Sequence, residues 1–166
     1  MSVKTQISIP LVKSLLEAVC DPEIPCLTIE DLGVLREVWL RDETLVIVIT
    51  PTYSGCPAMN TIEEDIRAVL HANAVENYTI ETQLAPAWTT DWLSDQGRQK
   101  LLDSGIAPPA QSTSDKRAFN SGRVNVACPQ CKSSNTERVS EFGSTACKAL
   151  YRCLDCLEPF DYFKCL

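Results

Sequence analysis

The sequence predicts an α+β protein in which a small mixed sheet, with helices on one face, is followed by a small cysteine-rich β module. Over residues 1–106, segments of helix and strand periodicity follow one another in the order α-β-β-α-β-α. A stretch rich in Pro and small polar residues, 107–123, then leads to residues 124–166, which hold two C-x-x-C pairs. We therefore predict a domain, a linker and a module within these bounds. The module is so short that it needs a bound metal ion to stabilise its fold.

Local patterns define each element of the first domain. Ser8 suits a helix N-cap and Pro10 suits the first turn of that helix, whose apolar stripe ends before Pro22. The strand at 45–49 is apolar on both faces, which predicts a central place in the sheet. The predicted elements are a helix at 8–21, strands at 34–41 and 45–49 joined by a polar hairpin turn, a helix at 57–71, a strand at 78–84 and a helix at 94–104.

Cys56 stands between the central strand and the second helix of the first domain. Gly55 permits a sharp turn and Pro57 suits a first helical turn, so Cys56 is predicted to lie at or beside a helix N-cap. The free N–H groups and the dipole of a helix N-terminus favour a thiolate, which predicts a lowered pKa. Cys56 is thus a candidate metal ligand or nucleophile. The alternative is a small buried apolar residue at a tight turn, and the local pattern leaves both open.

Two C-x-x-C pairs, separated by 21 residues, predict a metal site in the module. The four cysteines are Cys128, Cys131, Cys153 and Cys156. Each pair turns two sulfurs toward one point, so that the set completes a tetrahedron, as in a Cys₄ zinc ribbon. Iron of the rubredoxin type is the alternative, because tetrahedral sulfur suits both metals. A full set of four leaves no open position, which indicates a structural Zn²⁺. Short strands are expected at 124–126, 138–142 and 149–152.

The remaining cysteines carry weaker signals. Cys147 follows a Gly-Ser-Thr segment and precedes a lysine, so it is a candidate partner-facing or cluster-handling thiol. The alternative for Cys147 is a packed residue of the module. Cys20 is expected in the core beside the apolar stripe of the first helix. Cys26 follows Pro25 near the acidic loop, where both a functional and a structural role stay open, and the position of Cys165 indicates no role.

Four acidic residues crowd two adjacent loops before the first strand: Asp21, Glu23, Glu30 and Asp31. The default interpretation is a solvated acidic rim. The alternative is that Asp21 or Asp31 caps a backbone turn beside Cys56 and orders its pocket. Trp88 and Trp92 are expected to pack over the open end of the sheet, or else to shield a labile cluster.

Composition argues against several classes of function. The net charge is −7, with 7 Lys/Arg against 16 Asp/Glu in residues 1–107 and 8 against 6 in residues 108–166. Neither part has the strongly basic face of a nucleic-acid-binding protein. No apolar run is long enough to span a membrane, and no catalytic Ser/His/Asp set or P-loop occurs. Nine cysteines without an apolar leader segment predict a cytoplasmic protein whose thiols serve metal or iron–sulfur chemistry.

Several motifs together resemble the metal–sulfur (iron–sulfur) cluster assembly domain family. They are Asp21-Pro22-Glu23-Ile24-Pro25, Asp31-Leu32-Gly33, Thr50-Pro51-Thr52 with Gly55-Cys56-Pro57, and the Pro-Ala-Trp-Thr-Thr-Asp-Trp segment at 86–92. The linker and module, with their segments at 142–148 and 159–163, look like those of the accessory proteins of the bacterial phenylacetyl-CoA ring epoxidase. The combination covers nearly the whole chain.

The resemblance implies an accessory protein that does not itself carry out the epoxidation. Its implied task is to mature or insert a metal centre in aerobic phenylacetate catabolism. Cys56 matches the family's reactive cysteine, and Asp21 matches its acidic motif. The implied partners are the epoxidase subunits, an oxygenase with a di-iron centre and a reductase with a [2Fe–2S] cluster.

Two classes of function therefore stand as hypotheses. In the first, a maturation factor, Cys56 transiently holds iron or a cluster together with Cys147 or with Cys56 of a second copy. Because a [2Fe–2S] cluster takes four ligands, a homodimer, a partner or glutathione would supply the rest. In the second, a scaffold, the acidic first domain and the ribbon position epoxidase subunits, and only a structural zinc is bound. The charge pattern disfavours nucleic-acid binding.

Overall fold

A computed structural model describes residues 8–109 and 126–164, and the chain divides into two compact units after Trp88. The first unit contains α1 (Ile9–Leu16), β1 (Leu35–Arg41), β2 (Thr44–Ile49), α2 (Ala58–Ala72) and β3 (Tyr78–Thr82). The second contains a 3₁₀ helix (Thr90–Trp92), α3 (Asp95–Asp103), β4 (Ile106–Ala107), β5 (Thr136–Ser140), β6 (Lys148–Cys153) and β7 (Pro159–Phe163). Within these described ranges, every helix is too short or too polar to cross a membrane.

The first unit is built around a three-stranded mixed sheet in the order β1-β2-β3. β2 pairs antiparallel with β1 and parallel with β3. The side chains from Leu45 to Ile49 are at most 7% exposed, which confirms the central placement predicted from their apolar run. α1 packs against both α2 and β1. The predicted mixed α+β architecture is confirmed.

Capping and periodicity explain the two helices of the first unit. The Ser8 hydroxyl oxygen accepts a hydrogen bond from the Leu11 N–H at 3.4 Å, which caps α1 as predicted. α2 begins after its N-cap Pro57 and buries one apolar face. The buried residues of that face, each four positions from the next, are Ala58, Ile62, Ile66 and Leu70.

The first helix ends earlier than predicted. α1 stops at Leu16, and the N–H groups of Ala18 and Val19 bond to carbonyls three residues back. Cys20 lies beyond the helix in an isolated antiparallel bridge with Thr28, where its side chain is half-buried. The expectation that Cys20 packs in the core on this helix was wrong. The chain instead pairs with a segment eight residues further along, and helix periodicity does not reveal such pairing.

The second unit contains a four-stranded sheet in the order β4-β7-β6-β5. β6 pairs antiparallel with both β5 and β7, whereas β4 pairs parallel with β7. The ring of Tyr151 stacks on Phe160 at 5.9 Å and meets the edge of Tyr162 at 5.5 Å. These aromatic rings share one buried cluster with Cys128 and Cys153, so the core of this unit is continuous with its cysteine site.

The observed division differs from the predicted boundary at residue 106. Ile106 and Ala107 form β4, which pairs with β7, and the Arg98 guanidinium on α3 donates to the Thr90 carbonyl at 2.8 Å. The third predicted helix therefore lies in the second unit, because a long-range strand pairing attaches it there. The predicted linker at 107–123 and the strand at 124–126 fall for the most part outside the described residues.

Gly143 is packed so closely that an added methyl group must displace a neighbour. A Cβ at this position would lie 2.5 Å from Asp161 Oδ1. That carboxylate accepts from the Ser144 hydroxyl at 3.0 Å and lies 4.0 Å from Nζ of the buried Lys148. We expect Gly143→Ala to lower the free energy of unfolding by about 2 kcal/mol, because overpacking would pull Asp161 from both partners.

Thermal unfolding of the metal-loaded protein measures this effect of Gly143→Ala. Ser134→Ala is the control, because Ser134 is exposed. An unchanged melting temperature in Gly143→Ala would mean that Asp161 moves without cost and would refute the packing argument.

Candidate functional site

Cys56 lies where the chain passes from the central strand into α2. Its N–H donates to the Tyr53 carbonyl at 3.2 Å, and its own carbonyl accepts from the Met59 N–H at 3.3 Å. Gly55, with φ of +81°, makes the turn that precedes Cys56. Pro57 is the N-cap of α2. The predicted position beside a helix N-terminus is therefore confirmed.

The protonation of Cys56 differs from the prediction. Burial is the largest influence and raises the pKa of the thiol, and the negative charge of Glu23 raises it further. The Ala58 N–H and the side chains of Tyr53 and Thr52 donate toward the sulfur and oppose the rise. The predicted lowering of the Cys56 pKa was wrong, because desolvation of a half-buried sulfur outweighs the donors at the helix N-terminus. The side-chain donors stand three and four residues before Cys56, a spacing visible in the sequence.

The acidic loop before β1 is ordered by its own carboxylates. Asp21 is only 6% exposed, and its Oδ1 accepts from the N–H groups of Glu23 at 2.8 Å and Ile24 at 2.9 Å. Asp31 is equally buried and caps a second turn, in which it and Thr28 exchange hydrogen bonds at 3.0 and 3.3 Å. The predicted solvated rim was wrong for these two residues, since both are buried and cap backbone turns. That Asp21 or Asp31 orders the pocket of Cys56 stays a prediction. The turn held by Asp21 carries Glu23, whose negative charge contributes to the raised pKa of Cys56.

Trp88 links two of the motifs in the first unit. Its side chain is 7% exposed, and its indole Nε1–H donates to the Leu32 carbonyl at 2.9 Å. Trp88 is thus buried, as its packing interpretation requires. Trp92 lies in the 3₁₀ helix of the second unit and is half-buried.

The four knuckle cysteines converge as their spacing predicts. We call residues 128–131 knuckle 1 and residues 153–156 knuckle 2. Their sulfurs all lie within 4.8 Å of one another, with the Sγ atoms of Cys128 and Cys156 3.7 Å apart and those of Cys131 and Cys153 3.5 Å apart. Four thiolates around a tetrahedral metal at about 2.3 Å would be separated by about 3.8 Å. The cysteines thus form a metal-binding site that fits one tetrahedral ion.

Backbone N–H groups favour a negative charge on Cys153 of knuckle 2. The Cys156 N–H lies 3.5 Å from Cys153 Sγ and points to it. This N–H and that of Asp155 lower the pKa of the Cys153 thiol to about 7. Cys128 and Cys153 are fully buried, whereas Cys131 and Cys156 are exposed, so one edge of the site faces solvent.

The other cysteines lie apart from this tetrad. Cys147 is buried in the second unit, with the Thr145 hydroxyl 3.1 Å from its sulfur. This position favours packing over metal handling for Cys147. Cys26 is half-buried in the first unit, and Cys165 lies outside the described residues.

Comparison with known proteins identifies the family. Residues 112–164 match the family model described as the PaaD zinc beta ribbon domain, and residues 11–79 match that described as an iron–sulfur cluster assembly protein. A protein of Escherichia coli K12 that is named as a subunit of 1,2-phenylacetyl-CoA epoxidase is 49% identical over 153 residues, 92% of this chain and 90% of that relative. The chain belongs to the PaaD family.

Part of this PaaD-family chain is also similar to two further proteins. An Fe–S protein maturation auxiliary factor from Porphyromonas gingivalis W83 is 32% identical over 89 residues, 52% of this chain and 84% of that relative. The crystal structure of a domain of unknown function from Bacillus anthracis has 29% sequence identity to this chain and a TM-score of 0.51. The match covers 55% of this chain and 89% of the Bacillus anthracis chain. The segment that matches the iron–sulfur assembly model contains both Asp21 and Cys56.

The raised pKa of Cys56 predicts slow alkylation at neutral pH. Because the thiol pKa lies above its ordinary value of 9.0, the thiolate fraction in the folded chain is smaller than in the unfolded chain. We expect the alkylation rate of Cys56 to rise with pH through a midpoint above 9.0. Peptide mass spectrometry after timed iodoacetamide treatment measures this rate, and Cys56→Ala assigns the modified peptide. A midpoint below the ordinary value would contradict the burial argument.

Proposed function

We propose that this PaaD-family protein assists the assembly of an iron or iron–sulfur centre in a subunit of phenylacetyl-CoA epoxidase, and that Cys56 transiently holds the cargo. The observation that carries the proposal is a half-buried thiol with donors already aimed at its sulfur. The match of residues 11–79 to an iron–sulfur assembly model supports it. The name of the E. coli relative supports the epoxidase as the client system.

The proposed chemistry at Cys56 is a competition between a proton and iron. When iron binds, the Cys56 thiol loses its proton to solvent as the iron–sulfur bond forms. The Ala58 N–H and the side chains of Thr52 and Tyr53 then donate to the sulfur and stabilise its charge. When client thiolates take the iron, Cys56 regains a proton. A raised pKa favours this last step, so the site suits a transient holder better than a permanent one.

One thiolate is too few to retain a cluster. A [2Fe–2S] cluster takes four protein ligands. We propose that a second copy of the chain, the client or a small thiol supplies the others. We propose that Asp21 serves this site indirectly, because its buried carboxylate caps the turn that holds Glu23, and the charge of Glu23 acts on Cys56. Cys147 is a weaker candidate, since its sulfur is buried in the second unit.

The tetrad in the ribbon is proposed to hold Zn²⁺ as a permanent structural ion. Four cysteine donors, the short distances between their sulfurs and the zinc ribbon model all support this assignment. The bound ion would join two knuckles that the small core alone holds weakly. We also propose that the protein acts in the cytoplasm, where its thiols stay reduced.

A scaffold that positions epoxidase subunits is the second candidate function. Four large apolar side chains are exposed in the described part of the second unit, and the most exposed are Phe142 at 62% and Leu157 at 68%. Such residues suit a protein contact surface. The scaffold needs no chemistry at Cys56.

Spectra of the full-length protein separate the two functions. After anaerobic treatment with ferrous iron and sulfide, we expect the visible charge-transfer bands of an iron–sulfur centre in the wild type. Cys56→Ala should lose these bands, while Cys26→Ala, which removes another half-buried thiol of the first unit, should keep them. Bands of equal intensity in wild type and Cys56→Ala would refute a cargo role for Cys56.

A further inference from the structure

Three polar residues connect the two knuckles, and none of them belongs to the four cysteine ligands. Asp155, inside knuckle 2, accepts hydrogen bonds from the Ser133 hydroxyl and, at 2.7 Å, from the Asn135 side-chain amide. The Asn135 carbonyl accepts from the Leu154 N–H at 2.8 Å. We call Ser133, Asn135 and Asp155 the knuckle bracket.

The knuckle bracket reaches the ligands of both knuckles through backbone bonds. On the side of knuckle 1, the Ser133 carbonyl accepts from the Cys128 N–H at 2.8 Å. The Ser133 hydroxyl also accepts from the Asn135 N–H at 3.0 Å, which fixes the turn after this knuckle. On the side of knuckle 2, Asp155 lies between the ligands Cys153 and Cys156 in the chain. One carboxylate therefore joins two segments that are separated by about twenty residues and that must stay in register for four sulfurs to meet.

We propose that Asp155 is a positioning residue for the ribbon metal: through Ser133 and Asn135 it holds the two knuckles at ligand distance and slows loss of the ion. The pairing of β5 with β6 sets Thr136 opposite Cys153, and the bracket adds side-chain bonds between the knuckles beyond that pairing. With the bracket in place, a sulfur that dissociates stays near the ion and rebinds. The ribbon ion is thus retained and is not the cargo of the protein. This inference does not depend on Cys56.

The test is the rate at which the full-length, zinc-loaded protein gives up its metal to an excess of a chromophoric chelator. We expect Asp155→Ala to release zinc about tenfold faster than wild type, the usual scale for residues that orient ligands. Asp155→Asn keeps one acceptor oxygen and should release zinc at an intermediate rate. Because Asn135 acts through Asp155, the double variant Asn135→Ala/Asp155→Ala should be no faster than Asp155→Ala alone.

Two controls separate positioning from charge and from general stability. Glu158→Gln removes a negative charge beside the same knuckle from an exposed side chain and should release zinc at the wild-type rate. Gly143→Ala strains the same unit away from the bracket and should leave the release rate within about twofold of wild type. If both Asp155 variants released zinc at the wild-type rate, the proposal would be overturned. Release from Glu158→Gln or Gly143→Ala as fast as from Asp155→Ala would overturn it too, in favour of charge or loosened packing.

Discussion

Replacing Cys128 with serine is expected to unfold the second unit and leave the first unit folded. Metal binding at structural zinc sites couples roughly 10 kcal/mol to folding, more than a unit of this size gains from its core. Cys128 is also fully buried in the aromatic cluster, so a serine there adds an unsatisfied hydroxyl. Because β4 pairs with β7, the loss should extend to Ile106 and Ala107. Metal analysis and backbone NMR of the full chain measure both effects.

Cys147→Ser is the matched control for the ribbon prediction. Cys147 is a buried cysteine of the same unit that lies outside the tetrad. The Cys147→Ser variant should keep about one metal ion per chain, and its free energy of unfolding should fall by only about 1–2 kcal/mol. Full metal content and an intact second unit in Cys128→Ser would contradict the structural role of the site.

The largest expected effect on function follows from Cys56→Ala. Cells that carry this variant in place of the wild type should fail to grow on phenylacetate, and their epoxidase subunits should be folded but poor in iron. The protein itself should remain folded, with a loss of about 1 kcal/mol, because only one half-buried sulfur is removed. Growth, epoxidase activity and iron content of the purified subunits measure the outcome.

Cys26→Ala provides the control for the cellular experiment, because it removes a half-buried thiol from the same unit. Cells with this variant should grow like wild type. Normal growth of cells with a stable Cys56→Ala protein would refute the maturation function and favour the scaffold.

The parts of the fold that local patterns encode could be predicted from the sequence. The apolar run of β2 indicated its central position, and the spacing of Ile62, Ile66 and Leu70 indicated α2. The knuckle spacing predicted the convergence of four sulfurs. Residues that are close in sequence determine the strand, the helix and each knuckle, and the requirement for four tetrahedral ligands brings the two knuckles together.

The features that were missed depend on residues that are distant in sequence. β4 is two residues long and forms only because β7 lies beside it. β7 begins with Pro159 and carries Asp161 in its middle, so its composition is not typical of an inner strand. The early end of α1 is an exception, because Cys20 pairs with Thr28 only eight residues away, and helix periodicity does not reveal that pairing.

Local sequence also predicts the electrostatics of the Cys56 site only in part. Its place at a helix N-terminus follows from local sequence, and the stabilising donors stand nearby in the chain. Its desolvation depends on how the whole unit packs around the sulfur, and Glu23 comes from a loop more than thirty residues away. Burial therefore reversed the direction of the predicted pKa shift.

Direct transfer of isotopically labelled iron tests the proposed function most closely. The full-length protein would be loaded anaerobically, separated from free iron and mixed with the metal-free oxygenase or reductase of the epoxidase. The maturation function predicts that label moves to one of these proteins from wild type and from Cys26→Ala but not from Cys56→Ala, while the ribbon zinc stays bound. Equal transfer from Cys56→Ala, or a wild-type protein that holds no labelled iron, would contradict it.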